Sequence, residues 1–181
     1  RNFGCRYNGT YVATGMNHYD FLNKKMHYQL GNGTSPAYCN SVRDLDMWII
    51  AGVTNVLAVY KKEKNLVPIT PEEYRRLLNY VQLGSKLIES RFSDTRLKDL
   101  KGKYVTGTLF QRGTGETFPD YEFAGYTGQE FPKTTPINKL RYRQKGVAWD
   151  LSHSRRFVHV FETLSENKDI LGLIFQQKIT W

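Results

Sequence analysis

Between Arg43 and Lys64 the chain offers a helix with almost no polar face. Leu45, Trp48, Ile49, Val53, Val56, Leu57 and Tyr60 follow the 3.6-residue helical period, and Met47, Ile50 and Ala58 fill other sides. A helix apolar on nearly every side is stable only when neighbours enclose it. The run admits Thr54 and Asn55 and follows Arg43, Asp44 and Asp46, so it falls short of the roughly 20 apolar residues of a membrane span. A core helix is therefore predicted, capped by Asn40 or Ser41. Lys61, Lys62 and Lys64 close it, matching the negative end of the helix dipole.

An enclosed helix requires partners, and the flanking sequence supplies them. Asn17 to Leu30 has helical spacing, with Tyr19, Leu22, Met26 and Leu30 on one side and Gly31-Asn32-Gly33 as terminator. Thr70-Pro71-Glu72-Glu73 is a full capping box, with proline at the first helical position. Ile69 and Tyr74 sit where a hydrophobic staple belongs. Beyond them run two stripes, Tyr74, Leu77, Leu78, Val81 and Ile88, and Tyr80, Leu83 and Leu87. Two stripes predict two packing partners.

The helical period stops at Ser93. Residues 93–149 hold seven of the 15 glycines and three of the six prolines. An irregular region of this length in a compact domain is functional or disordered, and its spread of aromatics argues against disorder. Short strands are expected at Tyr104–Gln111 and Tyr121–Phe123. Helix returns after Trp149, with Phe157, Val158, Val160, Phe161 and Leu164 on its apolar face and Asn167 as its end; Ile170 to Ile179 reads as a further helix or strand.

The expected fold is mainly α: packed antiparallel helical hairpins, with part of an α/α toroid as one arrangement by analogy, and a long irregular aromatic-rich region holding short β-strands. The 181 residues form a single domain or a domain fragment, divided into an arm over 1–15, helical residues 16–92, the irregular 93–149 and helical 150–181. The chain begins at Arg1 rather than Met and ends on Ile179-Thr180-Trp181 without a polar tail, as expected of a processed or truncated boundary.

Two features point to export. Cys5 and Cys39 allow one disulfide, whose closed loop is worth about 3–4 kcal/mol. Asn8-Gly9-Thr10 and Asn32-Gly33-Thr34 match the N-glycosylation pattern, although Asn-Gly-Thr is also a turn sequence. An extracellular or periplasmic glycoprotein with a Cys5–Cys39 disulfide is the expectation.

Standard catalytic signatures are absent: no GxxxxGK[ST], no GxGxxG after a strand, no GxSxG and no HExxH. His18 and His27 are nine residues apart and His153 and His159 six, spacings that put neither pair on one helical face, so no metal site and no cofactor is expected.

Three constellations remain. Asp150-Leu151-Ser152-His153-Ser154-Arg155-Arg156 opens a helix, where free backbone N–H groups attract anions. His153 suits general acid–base work, and Arg155 and Arg156 suit a carboxylate, phosphate or sulfate. The plainer alternative is a capped helix start whose arginines pair with Glu162 or face solvent. Second, Met16-Asn17-His18-Tyr19-Asp20 places Asn17 and His18 together, a pair able to bind and activate an acidic C–H or a hydroxyl; against this, Asn17 is a routine N-cap and His18 an exposed first-turn residue. Arg43, Asp44 and Asp46 are read chiefly as dipole complementation. Third, aromatic and basic residues interleave through the irregular region: Arg112 between Phe110 and Phe118, then Tyr126, Lys133, Lys139, Arg141, Tyr142, Arg143 and Lys145. Such groups neutralise anions and stack on sugars or bases, or else form a satellite core with a solvated basic rim.

The charge, 26 basic against 17 acidic residues for a net +9, fits an anionic partner. The expected function is an exported domain acting on an acidic polysaccharide, by metal-independent β-elimination if it is a lyase. His153, Tyr126 and His18 are the candidate acid–base groups. Arg155, Arg156, Asn17, Arg112, Arg141, Tyr142 and Arg143 are the candidate substrate-binding groups. The alternatives are a non-catalytic secreted or surface domain binding a polyanion or a protein partner, and nucleic-acid binding.

Overall fold

The computed structural model describes residues 3–7, 10–27, 42–99, 101–110 and 151–177. In order they form strands β1 (Phe3–Tyr7) and β2 (Thr10–Met16), helices α1 (His18–Met26) and α2 (Asp44–Lys62), a 3-10 turn at Lys64–Leu66, helix α3 (Pro71–Glu89), strands β3 (Phe92–Lys98) and β4 (Tyr104–Phe110), and helix α4 (Leu151–Leu171). The described residues are mostly helical, and the helices pack on one another.

Helix α3 begins as its sequence requires. Thr70 Oγ1 accepts from the Glu73 backbone N–H at 3.1 Å, and Glu73 Oε2 accepts from the Thr70 N–H at 2.7 Å. The Thr70 N–H foremost, and then the Thr70 hydroxyl, which donates to Glu73 Oε2 at 2.9 Å, hold the exposed Glu73 carboxyl below its ordinary range. Ile50 of α2 lies against Gly84 of α3, and the Tyr60 and Tyr74 rings stack at 4.8 Å. The pairing runs in opposite senses along the two helices, so α2 and α3 are an antiparallel hairpin. Helix α4 instead runs in the sense of α2: Arg156 meets Asp44 at 2.8 Å, and His159 meets Trp48 at 5.7 Å between ring centroids.

The main core lies among these helices. It holds Met47, Ile50 and Leu57 from α2, Val81, Leu87 and Ile88 from α3, and Phe157, Val160 and Leu164 from α4. Helix α4 continues through Asn167, whose side chain donates to the Thr163 carbonyl, and stops at Leu171 before Gly172 at φ 61°. The proposed stop at Asn167 is thus four residues early. The chain from Leu173 is neither helix nor strand over the described residues, yet it alternates: Leu173 and Phe175 are buried, and Ile174 between them is half exposed.

Three further expectations change. Phe3–Tyr7 and Thr10–Met16 pair as antiparallel strands rather than forming an irregular arm, with Tyr7 opposite Thr10 and a register shift between Phe3 and Gly4. The shift leaves Thr14 and Gly15 as extra residues on β2, and Gly15 at φ 72° takes a backbone shape disfavoured for other residues. Helix α2 starts after Arg43, not at a cap on Asn40 or Ser41. Nor is it enclosed by the described residues: Leu45 is 50% exposed, and Trp48, Val56 and Val59 just over 40%. Periodicity reports apolar faces but not the number of neighbours.

Strand β4 occupies the predicted Tyr104–Gln111 segment almost residue for residue, and β3 is its unpredicted antiparallel partner, in register from Phe92↔Phe110 to Lys98↔Tyr104. At the root of this hairpin Phe92 and Phe110 pack at 5.0 Å and meet Phe161 at 5.2 and 5.5 Å. The strand proposed at Tyr121–Phe123 lies outside the described residues. No described helix is long and apolar enough to cross a membrane.

Candidate functional site

The most organised polar group in the described residues lies where α1, α2 and α3 meet, and it is built from the starts of two helices. Asn17 caps α1: its Oδ1 accepts from the Asp20 N–H at 3.0 Å, and its Nδ2 donates to Asp20 Oδ2 at 2.7 Å. The cap fixes His18 as the first helical residue. The α1 face that turns inward is His18, Phe21, Leu22 and Lys25, spaced at the helical i, i+3, i+4 and i+7. This corrects the expected stripe, since Tyr19 is 43% exposed, and it corrects the reading of His18 as an exposed first-turn residue, since it is 8% exposed.

At the N-terminus of α2, Asp46 plays the part of a capping carboxylate, accepting from the Arg43 backbone N–H at 2.9 Å. It does far more than complement a dipole. Asp46 is fully buried, and its Oδ1 accepts from His18 Nε2 at 3.0 Å and Arg43 Nη2 at 3.2 Å, while Oδ2 takes Lys25 Nζ at 2.5 Å. Burial pushes the Asp46 carboxyl up, but the Lys25 charge, the His18 hydrogen bond and Arg43 outweigh it and hold the group well below the usual carboxylate range. Asp46 is therefore ionised, which places the His18 ring proton on Nε2.

The other ring nitrogen, Nδ1, is 2.6 Å from Tyr80 Oη of α3. Burial, and then the nearby Asp46 charge, push the Tyr80 hydroxyl far above its ordinary range, so it stays protonated and donates to Nδ1. The result is a directed chain, Tyr80 O–H to His18 Nδ1 and His18 Nε2–H to Asp46. Aromatic rings wall it in: Phe3 stacks on His18 with centroids 4.4 Å apart, and Lys25 Nζ and Arg43 Cζ lie 4.6 and 5.1 Å from the Phe21 ring centroid. Below, Arg91 Nη2 donates to the Lys25 carbonyl at 2.8 Å, tying the last turn of α1 to the end of α3.

Of the expected site residues, this cluster gathers His18, with Asn17 at its edge. Arg156 is elsewhere, joining α4 to Asp44 of α2, rather than to Glu162 or solvent alone. His153 and Arg155 lie in the first turns of α4, but their side chains fall outside the described residues. Tyr126, Arg112, Arg141, Tyr142 and Arg143 lie outside them altogether. So do Cys39, the Cys5 side chain and both candidate glycosylation asparagines. Sequence reasoning gave Lys25 and Tyr80 no site role and read Asp46 chiefly as dipole complementation. Among the described residues no group of three or more His, Cys, Asp and Glu side chains is placed to hold a metal ion.

No protein-family model matches the chain, and no curated protein or solved structure matches it either.

Proposed function

We propose that the chain is an exported protein acting on an acidic polysaccharide by metal-independent β-elimination, with Tyr80, His18 and Asp46 as its proton relay. The observation that carries this reading is the hydrogen-bonded chain itself, at 2.6 and 3.0 Å, ending on an ionised carboxylate. Elimination beside a uronate requires a base for the carbon acid, a proton for the departing oxygen and a cation for the carboxylate. In this reading Tyr80 Oη takes the proton from the carbon bearing the carboxylate as its own proton moves to His18 Nδ1, so no free tyrosinate forms, and Asp46 stabilises the imidazolium. The electron pair of the C–H bond forms the C=C bond, and the glycosidic C–O bond breaks. The proton now on Tyr80 passes to the leaving oxygen as His18 gives its proton back to Tyr80. Asp46 is a positioning residue, holding the His18 tautomer through Nε2. The net charge of +9 suits the substrate.

The test is incubation with a panel of uronate polysaccharides, following the ultraviolet absorbance of the unsaturated product. Tyr80→Phe is expected to lower turnover by about 10²–10⁴-fold while polymer binding persists. Absence of product across the panel, or full turnover by Tyr80→Phe, refutes the reading.

A second reading rests on a different feature of the same cluster. Both His18 ring nitrogens are engaged by the protein and the ring is 8% exposed, which suits a pin joining three helices in a non-catalytic polyanion-binding or protein-binding domain. Under that reading Tyr80→Phe lowers thermal stability and leaves binding unchanged, with no turnover to lose.

A further inference from the structure

The β3–β4 hairpin is rooted in the core by Phe92 and Phe110 and becomes progressively more polar toward its turn. Paired positions in an antiparallel ladder share a face, so Asp94, Arg96 and Lys98 stand on the same side as Thr108, Thr106 and Tyr104. Tyr104 is 54% exposed, and Arg96 Cζ and Lys98 Nζ each lie 5.1 Å from its ring centroid. Lys101 and Lys103 follow, both exposed. From 96 to 103 there are four cations, Arg96, Lys98, Lys101 and Lys103, and one acid, Asp99. Asp99 Oδ1 accepts from the Lys101 and Lys103 backbone N–H groups at 2.9 and 2.8 Å, and Gly102 at φ 79° completes the turn. None of the four cations makes an ion pair with a carboxylate among the described residues.

We propose that this face is a binding site for an acidic polysaccharide chain, with a sugar ring on Tyr104 and the sugar's carboxylate between Arg96 and Lys98. The site rests on the substrate class proposed above but not on the relay. A hydroxyl-rich polyanion suits the face better than a nucleic acid does. Thr106 and Asp94, which accepts from Thr108 Oγ1 at 3.2 Å, continue the same side, where their oxygens accept hydrogen bonds from the hydroxyls that the sugars of a polyuronate carry and a DNA backbone lacks.

The experiment is calorimetric titration of the full 181-residue chain with polygalacturonate fragments at low and high salt. A neutral glucan and a single-stranded oligonucleotide serve as comparators. The double variant Arg96→Ala/Lys98→Ala is expected to bind polygalacturonate about tenfold or more weakly, with a shallower salt dependence. Tyr104→Ala is expected to lose about tenfold with the salt dependence unchanged. All three positions are exposed, so the melting temperature stays at the wild-type value. Variants that bind as wild type does overturn the site, as does a wild-type chain that ignores polygalacturonate or prefers the oligonucleotide. Binding that depends on the hairpin without any unsaturated product refutes the elimination and keeps the site. Turnover with an unchanged KM in the hairpin variants refutes the site and keeps the elimination.

Discussion

Replacing Asp46 by Asn is the sharpest probe of the buried cluster, because it keeps the shape and removes only the charge. Every hydrogen-bonding group that faces this side chain in the cluster is a donor. His18 Nε2 and Arg43 Nη2 face Oδ1, and Lys25 Nζ and the Arg43 backbone N–H face Oδ2. Whichever way an amide is turned, its NH2 meets donors. Lys25, fully buried, also loses its carboxylate. Removing one partner of a buried pair costs about 3–5 kcal/mol, a fifth or more of the roughly 5–15 kcal/mol that holds a typical domain together. Lys25→Met is expected to cost less, about 1–3 kcal/mol, because Asp46 keeps His18 and Arg43.

The assay is urea unfolding followed by circular dichroism, for both single variants and for Asp46→Asn/Lys25→Met. The double variant is expected to lose less than the sum of the singles, by about 0.5–3 kcal/mol, since it removes both charges together. The losses should hardly change with salt, because water and ions do not reach the pair. The pH dependence has a fixed sign. The Asp46 carboxyl titrates lower in the folded chain than in the unfolded one, so its contribution is present above the unfolded value of about 3.9 and disappears as pH falls from there toward the folded value. Asp46→Asn should lack that part of the acid limb. A loss below about 1 kcal/mol for Asp46→Asn, or strict additivity in the cycle, refutes the reasoning.

Three other substitutions follow from single contacts. A Cβ at Gly84 falls 2.7 Å from Ile50 Cδ1 and Cγ1 and 3.2 Å from Cγ2, and Ile50 is β-branched on a helix, so Gly84→Ala should cost about 1–2 kcal/mol despite better helix propensity; Ile50→Val in the same chain should recover part of it, and additive losses in chemical denaturation would exclude the clash. Thr70→Ala removes the α3 cap and should lower stability by about 1 kcal/mol in the same assay, with Thr70→Ser near wild type. Arg156→Ala removes a partly exposed ion pair to Asp44 and should cost at most about 1 kcal/mol, shrinking further in high salt.

What the sequence made legible follows from the range over which each signal acts. The α3 cap is decided within four residues, and Thr70-Pro71-Glu72-Glu73 reads off directly. Strand β4 was visible in its own composition, but β3, Phe92-Ser93-Asp94-Thr95-Arg96-Leu97-Lys98, is charged and polar at most positions and is a strand because it pairs with β4. The β1–β2 hairpin was missed although Asn8-Gly9-Thr10 reads as a turn sequence and Tyr7 pairs with Thr10; the Gly-rich, polar composition of residues 1–15 pointed to an irregular arm instead.

The cluster itself shows a different limit. Local hydrophobicity chose Tyr19, Leu22 and Met26 as the inner face of α1, whereas the buried face carries His18 and Lys25, whose partners Asp46 and Tyr80 stand 21 to 62 residues away. A window of one or two turns cannot register such partners. A two-element rule would have found them. Lys25 lies four residues after Phe21, and Asp46 lies four before Ile50, so each is a charge set on an apolar stripe of its own helix. A lone charge in either place would be expelled, because burying it unpaired costs more than packing the stripe returns. Two such charges of opposite sign on neighbouring helices can both be buried only if they meet. The pairing of Lys25 with Asp46 was therefore implicit in the sequence, and with Asp46 ionised and buried, the first polar side chain of α1 is drawn to the same carboxylate.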